Sequence, residues 1–266
     1  MEHLFRLWSE FSAGCDAAPH ILLLSDYDGT LTPIVGRPEE ALLSQDVRDK
    51  LSTLARKPTC TVGIISGRSL TEIKSMAAIE GIYYAGNHGL EIEGPGLTYV
   101  NQETKEAEAV MKDLVGQLTA ALGNIDGIII QDKGLSVSVH YRLVKPENED
   151  TVAETVHRLT APLCDEGKIR VFSGKKVWEV RPPIDWDKGK AVESITREIK
   201  TLLKLKQVLT IYLGDDTTDE DAFRVIHRPG GWSIFVGGEN PASVAEYFLN
   251  STIEVEEFLS RLIELK

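Results

Sequence analysis

The sequence predicts an alternating α/β protein with a second, α+β unit inserted into it, and three observations carry that reading. Short apolar runs end abruptly in polar residues, helix-spaced apolar positions fall between those runs, and the middle of the chain changes to alternating apolar and polar positions. A continuous apolar run of strand length marks a strand covered on both faces, whereas period-two alternation marks a sheet with one face buried.

Ile21–Leu24 is the first run, and Thr61–Ile65, Ile82–Ala85, Val208–Leu213 and Ser233–Val236 repeat its form. Val47, Leu51 and Leu54 keep helical spacing between them, as do Val192, Ile195, Ile199 and Leu202. Ser69 with Glu72 three residues on forms a capping box, so a helix is expected directly after Ser66-Gly67-Arg68. Strands that alternate with helices need right-handed crossovers, which lay helices on both faces of a parallel sheet. The expected core, residues 1–100 and 183–266, is therefore Rossmann-like.

Residues 101–182 read differently. A helix carrying Val110, Leu114, Leu118 and Leu122 leads to Ile128–Ile130, a turn at Asp132-Lys133-Gly134, and an alternating strand over Leu135–Arg142. A second helix from Asp150 to about Cys164 leads to another hairpin, Ile169–Phe172 with Lys176–Arg181. Helix and hairpin, twice over, describe an inserted α+β cap with a one-faced antiparallel sheet.

With 266 residues, 42% hydrophobic and 26% charged, the chain has an ordinary soluble composition. It lacks any apolar run near the ~18 residues that cross a bilayer, and Met1–Arg6 has no signal-peptide pattern, so the expected compartment is the cytoplasm. Cys15, Cys60 and Cys164 form no metal-type pair and read as reduced bystanders. A net charge of −12 argues against nucleic acid and against an anionic membrane as partners, because both are bound through basic patches. Any phosphate-bearing ligand must meet cations gathered locally.

Asp26-Tyr27-Asp28-Gly29-Thr30-Leu31-Thr32-Pro33 follows the first strand, at the sheet edge where open parallel sheets bind ligands. Two carboxylates two residues apart on extended chain project to one side, and their repulsion calls for a hard divalent ion with oxygen ligands. Asp-Gly alone is also a turn signal. Gly214-Asp215-Asp216-Thr217-Thr218-Asp219-Glu220-Asp221 follows the Val208–Leu213 strand and brings a second acidic cluster to the same edge, for which Mg²⁺ is the natural resolution. Asp215 is placed as a direct ligand, with Asp216 and Asp219 behind it to orient water or a lysine. Glu220 and Asp221 read as first-turn acids of a helix. Ser66 at a helix start can hold a phosphate oxygen, and Lys188 is a cation near the acids; taken singly, one is a common loop and the other a surface lysine.

These elements resemble, in order and spacing, those of the haloacid dehalogenase superfamily. With Gly86-Asn87-His88-Gly89, His140-Tyr141-Arg142, Lys176-Val177-Trp178-Glu179-Val180-Arg181-Pro182, Trp186-Asp187-Lys188-Gly189 and Gly214–Phe223, the resemblance narrows to the trehalose-6-phosphate phosphatases. It implies that Asp26 is the nucleophile, Asp28 the general acid and then base, Ser66 a phosphate-binding hydroxyl and Lys188 a phosphate-side cation. Mg²⁺ is then held by Asp26, the carbonyl of Asp28, and Asp215. The substrate contacts it implies are Arg68, Asn87, His88, His140, Arg142, Lys176 and Glu179. His88 reads equally well as a buried histidine, and the face shared by His140, Arg142, Ser136 and Ser138 as a wet one. Lys176 and Glu179 are three apart, which puts them on opposite faces unless a bulge intervenes or one lies at a strand end.

The expected partner is a small-molecule sugar phosphate, met by a monomer. Only 20 residues precede Ile21, so the chain is expected to be a free-standing phosphatase supplied by a separate enzyme. Other capped sugar phosphatases acting on sucrose phosphate or a glycosylglycerate phosphate, a phosphomutase, and a non-catalytic sugar-phosphate sensor are the alternatives.

Overall fold

The computed structural model describes residues 1–227 and 230–265, with positions 105 and 106 described in backbone only. Before the insertion come strands β1 (Glu2–His3), β2 (Ile21–Ser25), β3 (Cys60–Ile65), β4 (Tyr83–Gly86), β5 (Glu91–Gly94) and β6 (Leu97–Val100). Within it lie β7 (Ile129–Asp132), β8 (Val137–His140), β9 (Arg170–Gly174) and β10 (Val177–Arg181). After it come β11 (Leu209–Gly214), β12 (Gly231–Val236) and β13 (Tyr247–Leu249). The α-helices are α1 (Trp8–Ala17), α2 (Gln45–Ala55), α3 (Leu70–Ala77), α4 (Thr104–Leu122), α5 (Pro146–Asp165), α6 (Lys188–Leu202), α7 (Glu220–Val225) and α8 (Thr252–Glu264).

Contacts divide the chain into Met1–Tyr99 with Trp186–Lys266, and Val100–Asp185. The first unit holds one sheet in the order β1-β13-β12-β11-β2-β3-β4-β5-β6. Neighbours from β1 to β4 run parallel, and β5 returns antiparallel along β4. All five residues of β2 are buried, and side chains leave a strand alternately to its two faces. Leu23 therefore joins Val62, Ile64 and Ile211 under α1, α2, α3 and α8, while Leu22 and Leu24 join Ile65, Tyr212, α6 and α7. Truncating any one of these central leucines to alanine is worth ~2–5 kcal/mol.

From β2 the chain proceeds to β3 on one side, whereas β11 proceeds to β12 on the other. The strand order thus reverses between β2 and β11, and the crevice for a ligand opens past their carboxyl ends. Leu213 pairs with Ser25, so Asp26 and Asp215 leave the sheet side by side.

The second unit pairs its strands antiparallel in the order β7-β8-β10-β9. Met111, Leu114, Leu118 and Leu122 of α4 and Val152 and Val156 of α5 bury Val137, Val139 and Val180. The strand expected over Leu135–Arg142 is regular only at Val137–His140, because Lys133 N donates to Ser136 O at one end and Val144 N to Tyr141 O at the other. α5 begins at Pro146 rather than Asp150, since proline fits the first helical position. β1, β5, β6 and β13 escaped the sequence reading, each being four residues or fewer and too short to display a period. Among the described residues no helix is long and apolar enough to cross a membrane. Cys15 and Cys60 are buried and Cys164 is exposed, all three free.

Candidate active site

The site begins where β2 and β11 stop. Asp26 N donates to Leu213 O at 2.8 Å, which continues the parallel ladder one step and fixes the Asp26 backbone beside β11. One carboxylate oxygen from each of Asp26, Asp215 and Asp219 falls within 4.8 Å of the others, and all three residues are buried. Gly29 lets the chain pass underneath them: its φ is +87°, and a Cβ there would lie 2.3 to 2.5 Å from the Asp215 carboxylate. Thr30 Oγ1 donates to Asp215 Oδ1 at 3.3 Å.

Lys188, at the start of α6, brings the counter-charge. Its amine lies 3.0 Å from Asp26 Oδ2 and 2.7 Å from Asp219 Oδ1, with the side chain 2% exposed. Burial would lower the amine's pKa, but Asp219 and Asp26 outweigh it and hold the group charged well into the alkaline range. Asp219 Oδ1 also accepts from the Tyr212 hydroxyl at 2.6 Å, and Oδ2 accepts from the amides of Asp215 and Asp216, each at 3.0 Å. Four donors occupy this carboxylate, so it anchors the loop and the lysine rather than offering free lone pairs to an ion. Asp216 turns its own side chain to cap Thr217 N at 2.6 Å, and it is the Asp216 amide that reaches Asp219.

Burial lifts the Asp26 carboxyl well above its usual range; Lys188 works against that lift, while Asp219, Asp215 and Asp28 add to it. Three carboxylates facing one ammonium leave an excess of negative charge in a buried place. Oxygen donors of this kind suit a hard divalent cation, with Asp26 and Asp215 as the carboxylates that could hold it.

Ser66 follows β3, and its amide donates to Ala85 O at 2.9 Å. Asn87 N donates to Arg68 O at 2.7 Å and His88 N to Ser66 O at 2.9 Å, so the 87–89 turn is pinned to the Ser66–Arg68 loop. Asn87, His88 and Gly89 all have positive φ, and a Cβ at Gly67 would meet the His88 ring at 2.7 Å. Two consecutive non-glycine residues in the left-handed region are strained and persist only where surrounding contacts over-determine them. Asn87 Nδ2 donates to Glu91 Oε2 at 2.9 Å. Arg68, expected to touch substrate, instead directs its guanidinium to Asp28, Glu72 and the Pro38 carbonyl.

In the second unit, Glu179 pairs in register with Ser138, and Ser138 with Gln131, on the sheet face opposite the unit's core. Glu179 Oε1 accepts from Lys133 Nζ at 3.2 Å and Oε2 from Arg181 Nε at 3.0 Å. His140 Nε2 lies 3.2 Å from Gln131 Oε1 on this same face. Lys176 sits outside β10 with φ +64°, its amine 2.5 Å from Glu149 Oε2 and 5.4 Å from the Tyr141 ring centroid. Arg142 lies past the end of β8 and donates to Lys175 O at 2.7 Å. Of the four expected sugar contacts, His140 and Glu179 therefore share a face and Lys176 and Arg142 occupy strand ends. Sequence reading missed Tyr212, Thr30, Lys133, Gln131 and Arg181.

Residues 24–252 match the family model described as trehalose-phosphatase. The chain belongs to the trehalose-phosphatase family. "Probable trehalose-phosphate phosphatase D" of Arabidopsis thaliana is 38% identical over 259 residues, covering 92% of this chain and 68% of that protein. Trehalose 6-phosphate phosphatase RA3 of Zea mays is 34% identical over 261 residues, covering 92% and 70%. The solved C-terminal domain of C. albicans trehalose-6-phosphate phosphatase superposes with a TM-score of 0.83 at 25% identity, covering 100% of this chain and 99% of that one. Membership of the trehalose-phosphatase family makes the chain a phosphoric monoester hydrolase, and its α/β core is that of the haloacid dehalogenase-like hydrolases.

Proposed function

We propose that the chain hydrolyses trehalose 6-phosphate to trehalose and phosphate with Mg²⁺ as cofactor, through an aspartyl-phosphate on Asp26. The observation that carries this reading is the buried cluster of Asp26, Asp215 and Asp219 around Lys188 at the point where the strand order reverses, in a chain of this family.

The Asp26 carboxylate attacks phosphorus in line while Asp28 gives its proton to the bridging sugar oxygen, so the O–P bond to Asp26 forms as the bond to the sugar breaks. Water then attacks the phosphoryl group, Asp28 takes up the proton released, and Asp26 returns as a carboxylate. Asp26, Asp215 and the main-chain carbonyl of Asp28 would hold the Mg²⁺, since the side chain of Asp28 is engaged by Arg68. When bound, the ion supplies positive charge against the nucleophile and the phosphate oxygens. Lys188 and the Ser66 hydroxyl bind the remaining oxygens, and Lys188 keeps the nucleophile oriented through its contact with Asp26. Asn87, His88 and the second-unit residues His140, Arg142 and Glu179 are assigned to the sugar, whereas Lys176, whose amine pairs with Glu149, is not.

Phosphate release from trehalose 6-phosphate, sucrose 6-phosphate and glucose 6-phosphate, each with Mg²⁺ and with chelator, tests the proposal. The expected result is loss of turnover in chelator and a preference for trehalose 6-phosphate above about tenfold, or ~1.4 kcal/mol of differential transition-state binding. A smaller preference removes the named substrate, and undiminished turnover in chelator removes the cofactor.

A further inference from the structure

Four of the five N–H groups of Arg68 have partners, on Asp28, on Glu72 of α3 and on the Pro38 carbonyl. Nε donates to Asp28 Oδ2 at 2.7 Å and Nη2 to Asp28 Oδ1 at 2.7 Å, while Nη2 also donates to Pro38 O at 2.8 Å and Nη1 to Glu72 Oε1. The arginine side chain is 5% exposed and lies over the Tyr27 ring, 5.7 Å from its centroid, whereas the Asp28 side chain is 40% exposed. A buried fork, braced by Glu72 and the Pro38 carbonyl, thus holds both oxygens of a partly exposed carboxylate. Fork-to-fork pairing fixes the plane of the carboxylate as well as its position, which a single point charge does not do.

We propose that Arg68 is the positioning residue for Asp28, holding its carboxylate in one plane and position between the two half-reactions. The inference rests on the two-step hydrolysis proposed above. In the first step Asp28 gives its proton to the sugar oxygen and becomes a carboxylate, the form that accepts two N–H bonds from a guanidinium. In the second step it starts as that carboxylate and takes a proton from the attacking water, so one contact to the fork must open. Arg68 therefore presents the base for the second step in a fixed plane, and its own donors remain on protein rather than on the phosphate. Glu72 and the Pro38 carbonyl keep the guanidinium in place while Asp28 changes partner.

The test is steady-state hydrolysis of trehalose 6-phosphate by the full chain with Mg²⁺, for the parent, Asp28→Asn, Arg68→Gln, Arg68→Lys and each Arg68 variant combined with Asp28→Asn. Arg68→Gln is expected to lower kcat about 10- to 100-fold with KM held within about threefold, the size of effect that misplacing a reacting group produces. In the Asp28→Asn background the same substitution is expected to lower kcat by less than about threefold, because a residue that works through Asp28 has nothing left to position. Arg68→Lys keeps the charge without the fork and is expected to lose at least about tenfold in kcat. Should Arg68→Gln not fold, judged by its urea midpoint, the Lys variant in both backgrounds decides the matter.

Losses that multiply in the double variants overturn the proposal, as does a raised KM with kcat kept, which would return Arg68 to substrate binding. Full activity of Arg68→Lys overturns it too. Parent-like activity of Asp28→Asn alone would instead overturn the two-step reading on which the inference stands.

Discussion

The Lys188 amine lies closer to Asp219, at 2.7 Å, than to Asp26, at 3.0 Å, so the buried lysine leans on the aspartate that the proposed chemistry leaves unchanged. Tyr212 and the amides of Asp215 and Asp216 converge on the same carboxylate. Asn at 219 would present an NH₂ to donors that need an acceptor. Asp219→Asn is expected to lower the unfolding free energy by ~3–5 kcal/mol, the usual cost of leaving one half of a buried ion pair uncompensated. Urea denaturation in chelator measures it, and a cost under ~1 kcal/mol would remove Asp219 from this anchoring role.

Asp215 should behave in the opposite way. It adds negative charge to the cluster, and its removal in chelator is expected to leave the protein at least as stable as the parent, since like charges in a buried site raise one another's energy. With Mg²⁺ at about a hundred times its dissociation constant, the parent is expected to gain ~2.7 kcal/mol of unfolding free energy and Asp215→Asn almost none. Thermal melts across a Mg²⁺ titration report both. A parent indifferent to Mg²⁺ would leave the cluster without its ion.

Gly29 and Gly81 both have left-handed φ, of +87° and +76°, but their surroundings differ. A Cβ at Gly81 meets nothing within 4 Å, so Gly81→Ala is expected to cost only the backbone penalty of ~1–2 kcal/mol with kcat unchanged. At Gly29 the Cβ collides with the Asp215 carboxylate. Gly29→Ala is expected to lower kcat by at least about 100-fold, because displacing a group at the reacting centre by an ångström has that effect. Equal kcat in the two variants would mean that the 29–32 turn does not set the position of Asp215.

The site's acids were legible because two of the apolar runs, Ile21–Leu24 and Val208–Leu213, give way within two residues to a carboxylate, and strand order follows from alternation with helices. What stayed hidden depends on pairing across the chain. Tyr212 looks like a core aromatic in a buried strand, and nothing local shows that its hydroxyl meets Asp219. Arg68 reads as a cation at a helix start, and only the path of the 28–38 loop decides that Asp28 and Pro38 receive its donors. Lys133 belongs to a turn signal, and it meets Glu179 because β8 pairs with both β7 and β10. Lys176 carries the resemblance in sequence, yet its left-handed turn directs the amine to Glu149.

That difference between the two lysines can be measured. Lys133 and Glu179 are both largely buried, at 8% and 13% side-chain exposure, whereas Lys176 and Glu149 are 48% and 29% exposed. Held between Lys133 and Arg181, the Glu179 carboxylate has a fixed orientation, which is what recognition of a sugar hydroxyl requires. An exposed pair such as Lys176–Glu149 contributes ~0–1 kcal/mol. Lys133→Ala is therefore expected to lower kcat/KM for trehalose 6-phosphate by about tenfold or more, ~1.4 kcal/mol, while hydrolysis of an aryl phosphate, which has no sugar to recognise, stays within about twofold. Lys176→Ala is expected to change kcat/KM for either substrate by less than about threefold. The reverse ranking would assign the sugar contact to Lys176 and leave the Lys133–Glu179 pair as a brace of the sheet.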